Sequence, residues 1–446
     1  MDALLAAARA IELPWVAALG AFAALAVWHR WPRLPARLRV AWTAGCVAAV
    51  AAFAVRAVSI ARHRLAVHAE WDFLGFWMHG RAAWLGRDFY DNEAMRALDL
   101  PWPPSDGFAA ELLVAGSVYP PFTSFLFAPF GAFSFETAYW LWLACNAAAV
   151  AAAVALAGRR LLVAHPHGAL LAAALVALLP ATRLTVEVQQ SSGLVLLALV
   201  AMAVAPRAAG AGVALALAVV VKPLAALVAI APLARRQWRV LGAAAAAGAA
   251  LVVASAVVWG PQRYVAFAAT PPSLSLPVIA TVQPVSQALA SEIGRRLHSL
   301  ERGRRPEREP LFLAAAAALA LATLAGLGSA RGLASLPRDA VADGLALGAA
   351  AAFALVVYPG TKHHYGVVLA LPAFALWRAR ERLPLRAAPD AIAAFVGLSW
   401  GALAWREGTS AWAVFLAWWA VMLAAAWAVR AQPPSEPGEA GASGDS

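Results

Sequence analysis

Three stretches place reactive side chains in an otherwise apolar chain. The first runs from Glu70 to Asp91, EWDFLGFWMHGRAAWLGRDFYD, shortly after a hydrophobic segment ends. Asp72 lies at its start. A carboxylate held at the membrane boundary can reach both a lipid-borne headgroup and an aqueous acceptor. Its structural alternative is a helix cap, a role Asp fills well. The second is Lys222, a lone charge in the apolar block from Gly210 to Ala234, followed by Pro223. An ionisable group inside a span is costly and is a functional candidate for that reason. Near the interface its ammonium could neutralise a lipid phosphate; the alternative is a lysine that snorkels from a helix end. The third is Lys362-His363-His364. Adjacent histidines on a helix point about 100° apart, so they cannot act as a metal pair one turn apart. One could hold a phosphate or an acceptor while the other packs. Two glutamine patches, Gln189-Gln190 and one beginning at Gln283, add polar groups. Asp88, Asp91 and Glu93 could hold a divalent cation, but helix-start carboxylates read equally well. His165-Pro-His167 falls on the opposite side and is set aside as a metal site.

The elements that must position these groups are membrane spans. The chain has 446 residues, 63% hydrophobic and 13% charged, whereas soluble domains are roughly half apolar and a quarter charged. The apolar residues come in spanning runs, so the chain reads as an all-α polytopic membrane protein with about 11–13 transmembrane helices. The formal net charge of +11 sits mostly in short arginine-rich turns, as the positive-inside rule requires. No basic stripe with interleaved aromatics occurs, which argues against nucleic acid as a partner. Cys46 and Cys145 lie in apolar runs and read as small core residues.

Alternation of the basic turns sets the topology. Arg33, Arg236 and Arg382 fall on the cytoplasmic side; Asp72, Gln283 and His363 fall outside. Residues 62–119 form a first external loop. Within it Phe73 to Leu85 has helical spacing, Gly86 is a stop, and Asp91 caps a short second helix. Trp71, Phe73, Phe76 and Trp77 are expected to hold the first of these helices at headgroup level. The Pro-rich return after Tyr119 reads as re-entrant. The Gly210–Ala234 block is expected to be two half-helices meeting at Lys222-Pro223, the kind of break that builds binding sites. Residues 260–310 form a second external loop. Residues 1–430 read as one domain, and 431–446 as a disordered cytoplasmic tail. Motifs of nucleotide-driven or soluble hydrolytic chemistry are absent.

Taken in order, these motifs resemble a known family. Asp72, Phe73, Phe76, Gly86 and Tyr90 resemble the start of glycosyltransferase family 87. Tyr119-Pro120-Pro121-Phe122 is similar to its aromatic-Pro-Pro step. Gln190-Ser191-Ser192 is similar to its Gly-Gln-x-Asn patch, with Gln189 in place of Gly and Ser192 in place of Asn. Lys222-Pro223 with Arg235-Arg236-Gln237-Trp238, Gln283 to Ser286, and Pro359 to Tyr365 follow in register. The resemblance implies a GT-C-like bundle with interfacial helices in the first external loop. It implies transfer of a sugar, mannose in most members, from a polyprenyl-phosphate donor to a lipid or glycan acceptor, inverting and metal-independent, with no cofactor. Asp72 would be the general base, and Lys222, His363 and His364 the donor-phosphate ligands. Tyr119, Gln190, Gln283 and Lys362 would bind substrate. The site would face the periplasm from a bacterial inner membrane, among membrane lipids. The competing readings are a transporter or flippase for a lipid-linked or small anionic substrate, and an inactive lipid-binding homologue.

Overall fold

The computed structural model describes residues 14–67, 71–98, 119–162, 167–269, 331–337, 339–358, 361–405 and 411–430, with the isolated residues 325 and 329. The described residues are nearly all helical and contain no strand. Among the described residues five helices are long and apolar enough to cross a membrane: α2 (Ala36–Ala66), α6 (Phe135–Arg160), α12 (Trp238–Trp259), α14 (Ala340–Val357) and α17 (Ala411–Arg430). Helices α7 (Gly168–Leu178) and α8 (Pro180–Glu187) meet at a 68° bend and together are long enough to make another span. Shorter apolar helices are α1 (Pro14–His29), α9 (Ser192–Val204), α10 (Ala208–Val221) and α16 (Ala388–Ala404). The chain is an all-α polytopic membrane protein.

Burial sorts the spans. α14 is the centre: 83% of its apolar window is buried, against 17% for α2 and 11% for α12. Its run of small residues, ADGLALGAAAAFAL, lets neighbouring helices approach closely in lipid, where packing rather than hydrophobic transfer drives association. The outward faces of α2 and α12 meet lipid. Cys46 is buried as expected, whereas Cys145 is exposed on the outside of α6. An apolar run alone does not tell which stripe of a helix faces the bundle.

The basic turns gather at one end. Arg378 donates to the Arg160 carbonyl (3.0 Å) and Arg382 to Asp339 (2.7 Å). Arg235 is ion-paired with Asp343 and donates to the Pro337 carbonyl (2.7 Å), and His29 packs edge-on against Trp377. These bonds tie together turns far apart in sequence, as the alternation of basic loops anticipates.

At the other end lies the helix that carries Asp72, α3 (Trp71–Trp84). It stops where Gly86 adopts a left-handed φ of 67°. After it comes α4 (Asn92–Arg96), capped by Asp91, whose side chain accepts from the Glu93 amide. The return after Tyr119 is a 3-10 turn, Pro121–Thr123, leading into α5 (Ser124–Gly131). The aromatics of α3, expected to face the headgroups, turn inward instead. Phe73, Phe76 and Trp77 are buried in an aromatic core against α5 and α6. Phe76 stacks on Phe127 with ring centroids 4.4 Å apart, Phe73 stacks on Trp142 at 6.0 Å, and the Trp77 indole donates to the Phe133 carbonyl. The segment after Tyr119 packs over this face of α3, so the rings are enclosed by protein. The side chain of Trp71, residues 270–324 with Gln283, and the tail 431–446 lie outside the described residues.

Two glycines set how closely α3 and α5 approach. A Cβ at Gly80 would stand 2.2 Å from the Phe127 carbonyl oxygen, and one at Gly131 would stand 2.3 Å from that of Gly80. Gly131→Ala should therefore wedge the two helices apart and destabilise by about 1–3 kcal/mol, as overpacking does. Gly242→Ala, on open helix surface, should be neutral or mildly stabilising. Thermal unfolding in detergent compares the two; an equal midpoint for both variants would show that the close approach is not needed.

Candidate active site

Proline ends α10. Pro223 lacks an amide hydrogen and pushes the residue before it out of helical geometry, and Lys222 is accordingly extended at φ −150° and ψ 122°. The chain resumes as a 3-10 segment, Pro223–Ala229, and a short helix α11 (Ile230–Ala234). The break expected at Lys222-Pro223 is present, and it turns the lysine inward. Lys222 is only 2% exposed. Its Nζ donates to Gln190 Oε1 at 2.7 Å and lies 4.0 Å from the centroid of the Tyr365 ring. This is no snorkelling lysine. Among the described residues no carboxylate lies within ion-pair distance of it.

Gln190 is presented by the end of α8. The Gln189 amide donates to Val186 (3.1 Å) and the Gln190 amide to Thr185 (2.9 Å), the paired bonds of a Schellman stop. Such a stop needs a left-handed residue, and Gln189 supplies it with φ 49°. That is where the resembled pattern carries glycine, which adopts this conformation freely; a side chain there costs roughly 1–2 kcal/mol. The Trp142 indole donates to the Gln189 carbonyl at 2.7 Å and helps hold the turn. With its amide turned to satisfy both neighbours, Asn146 donates to the Gln190 carbonyl (3.1 Å) and accepts from Trp142 (2.9 Å). The polar stretch Arg183 to Ser192 is therefore partly helical and mostly buried.

The third wall is the 3-10 segment His363–Leu369, leading into α15 (Ala370–Ala379). Thr185 Oγ1 donates to the His364 carbonyl at 3.0 Å and fixes this segment against α8. His364 is buried with its ring 4.7 Å from that of Tyr365, while His363 and Lys362 are half-buried. The Lys362 charge acts on both Lys222 and His364. Lys222, Lys362 and His364 thus lie near enough to influence one another's charge.

Asp72 lies within electrostatic reach of Lys222. It stands inside the first turn of α3, half-buried, and accepts no hydrogen bond from the described residues. A carboxylate there suits the helix dipole but does not cap. Its charge is felt at Lys222, Tyr119 and Tyr365. Tyr119 is half-buried, and its carbonyl accepts from the Tyr90 hydroxyl. Burial first, then the Asp72 carboxylate and Tyr358, push the Tyr119 hydroxyl well above the usual phenol range, so it stays a donor. Asp72, Tyr119, Gln190, Lys222, Lys362 and His364 therefore share one region, with His363 beside His364. Asp88, Asp91 and Glu93 do not converge: Asp88 is ion-paired with Arg263, and Asp91 caps α4. The described residues contain no group of three His, Cys, Asp or Glu placed for a metal.

Two participants escaped the sequence reading. Tyr365 provides the ring beside the ammonium; its place directly after the His pair was the available signal. His79, two turns after Asp72 on α3, is buried with its Nε2 2.6 Å from Ser124 Oγ. It joins the Asp72 helix to the re-entrant segment, and nothing in its spacing marks that role.

Comparison with known proteins agrees with the geometry. No curated protein and no solved structure matches this chain. The family model of glycosyltransferase family 87 matches residues 118–359. The match takes in Tyr119, Gln190 and Lys222, while Asp72, Lys362 and the His pair fall outside it. It covers more than half of the chain, which belongs to glycosyltransferase family 87 and is a multi-pass membrane glycosyltransferase.

Proposed function

We propose that the chain moves a mannosyl group from a polyprenyl-phosphate donor to a lipid or glycan acceptor, by a single inverting displacement on the external side of the membrane. The observation that carries this reading is the buried ammonium of Lys222, held by an amide oxygen and a ring face and facing no carboxylate at ion-pair distance among the described residues. A charge at such depth is stable only with a partner of opposite sign. A lipid phosphate entering between helices supplies one, and Lys362 and His364 lie within electrostatic reach of the same ammonium. The buried side chains around them support a hydroxyl-rich ligand. Thr182, Gln189, Ser191, Ser192 and Thr361 each keep a polar atom without a partner among the described residues, as does His364 Nε2. Buried polar atoms are nearly always paired, by water or ligand where protein does not reach.

In this mechanism Asp72 takes the proton from the acceptor hydroxyl as its oxygen bonds to the anomeric carbon. The bond from that carbon to the phosphate oxygen breaks, and the electron pair leaves with the polyprenyl phosphate. Lys222 and Lys362 stabilise the growing charge, the task a divalent cation performs elsewhere. Tyr119, a neutral donor near Asp72, orients the acceptor or the sugar. No enzyme nucleophile is needed, because one displacement inverts the anomeric centre. The domain is the membrane bundle of residues 1–430, of GT-C type.

Asp72→Asn tests the base. Asn keeps the size and most of the hydrogen bonding, but its amide cannot accept the proton. Transfer of labelled mannose from polyprenyl phosphate should fall on the order of a hundredfold or more, with stability and donor binding kept. Turnover near wild type would remove Asp72 from the reaction.

Lys222→Met tests the phosphate ligand. Polyprenyl-phosphate-mannose binding should weaken at least tenfold in a protein that still purifies as one species. Lys222→Arg should restore it only in part, since a planar guanidinium does not fit a pocket built around a compact ammonium. Unchanged affinity in the methionine variant would rule out this assignment.

Sidedness has its own test. Single cysteines beside His363 should react with an impermeant thiol reagent applied to intact cells, and cysteines beside Arg382 should not. The reverse pattern would place the site in the cytoplasm.

A further inference from the structure

A polar cavity lies at the end of α10 opposite Lys222. It has a volume of about 590 Å³ and is walled by the end of α9, the start of α10, α11 and the start of α12. Arg207, Arg236 and Arg239 line it together with Trp238. All three arginines are exposed, and none of their guanidinium groups forms a hydrogen bond or ion pair with a described residue. The carboxylate at the cavity, Asp343, is already ion-paired with Arg235. Arg235 in turn is buried and donates to the Pro337 carbonyl, so it is a fixed part of the wall rather than a free cation. α10 runs 14 residues from this cavity to Lys222, which places the two sites about 20 Å apart.

We propose that this cavity binds the phosphate-bearing headgroup of an anionic phospholipid. Three arginines facing one cavity repel one another unless an anion lies between them. A guanidinium suits that task because its fork matches a phosphate in two bonds. Arg236 is held in place by a second Schellman stop, in which its left-handed φ of 54° lets its amide donate to Leu233 and that of Gln237 to Pro232. The surrounding backbone favours an anion as well: neither α10 nor α12 has a side-chain cap or an acidic residue in its first turn. The volume falls within the roughly 300–1,000 Å³ of ligand pockets. A lipid is favoured over a free phosphate by the rim. Trp238 is 61% exposed and Leu233 48%, an indole at headgroup level beside an apolar side chain for the acyl chain. Arginines that served only to orient the chain in the membrane would need neither a cavity nor this rim.

The test uses the full-length protein in phosphatidylcholine nanodiscs containing a small fraction of phosphatidylglycerol, with retained lipid measured by native mass spectrometry after release. The wild type should retain phosphatidylglycerol, and an excess of inorganic phosphate should not displace it. Arg207→Gln/Arg236→Gln/Arg239→Gln should lower retention at least tenfold. Ala205→Trp, which fills the cavity and leaves every arginine in place, should do the same. Arg37→Gln/Arg159→Gln/Arg160→Gln removes equal charge from exposed sites elsewhere and should leave retention unchanged. Equal loss in this last variant would show bulk attraction to the bilayer and overturn the site. Retention in the Ala205→Trp variant would show that the arginines act without the cavity, and displacement by inorganic phosphate would show a free-anion site; either overturns the lipid assignment. The readout is lipid retention, so it stands or falls apart from sugar transfer.

Discussion

An ammonium buried among helices, with an amide oxygen on one side and an aromatic ring on the other, constrains everything around it. Lys222 reaches Gln190 only because α10 stops at Pro223. Gln190 is in reach only because α8 stops at a left-handed Gln189. Tyr365 lies beside the ammonium only because the His363–Leu369 segment is a 3-10 turn pinned by Thr185. Three chain breaks, far apart in sequence, must agree for one side chain to be tolerated. Removing the charge would relieve this demand and also empty the region of its reason to exist, the kind of local conflict a functional site retains.

Asp72 is held to the same region by different means. Its helix is short and begins outside any long span, so its own hydrogen bonds could not fix it. Aromatic stacking on Phe127 and Trp142, the Gly80–Gly131 approach and the His79–Ser124 contact fix α3 against α5 and α6 instead. α6 carries Trp142, which also holds the Gln189 turn. Asp72 and Lys222 are therefore positioned through one shared indole, and a change at Trp142 would disturb both.

Much of this was legible in the residues. Apolar runs and arginine turns located the spans, because lipid forces backbone bonds to close within each helix. The Lys222-Pro223 break was visible because proline has one consequence in a helix. What the residues did not show was direction. Phe73, Phe76 and Trp77 have the composition of an interfacial belt, and only α5 and α6 packing over them makes them core. Cys145 and Cys46 sit in similar runs, yet one faces lipid and the other the bundle. Tyr365 and His79 were hidden for the same reason: each matters through a partner distant in sequence, Lys222 for one and Ser124 for the other.

The breaks also explain why a polar site can exist at membrane depth at all. An intact helix shows lipid no free amide or carbonyl, and therefore offers a substrate none. Binding groups arise where helices start and stop, since each end leaves backbone groups open and releases side chains from the helical repeat. Asp72 is at the start of α3, Gln190 just beyond the end of α8, Lys222 just beyond the end of α10, and His364 at the start of a 3-10 segment. Every residue assigned to the chemistry lies at such an end, and the uninterrupted spans α2, α12 and α17 contribute none. The broken helices are what this fold must accept to present polar groups to a sugar substrate within a membrane bundle, and the central, small-residue α14 gives them a surface to pack against.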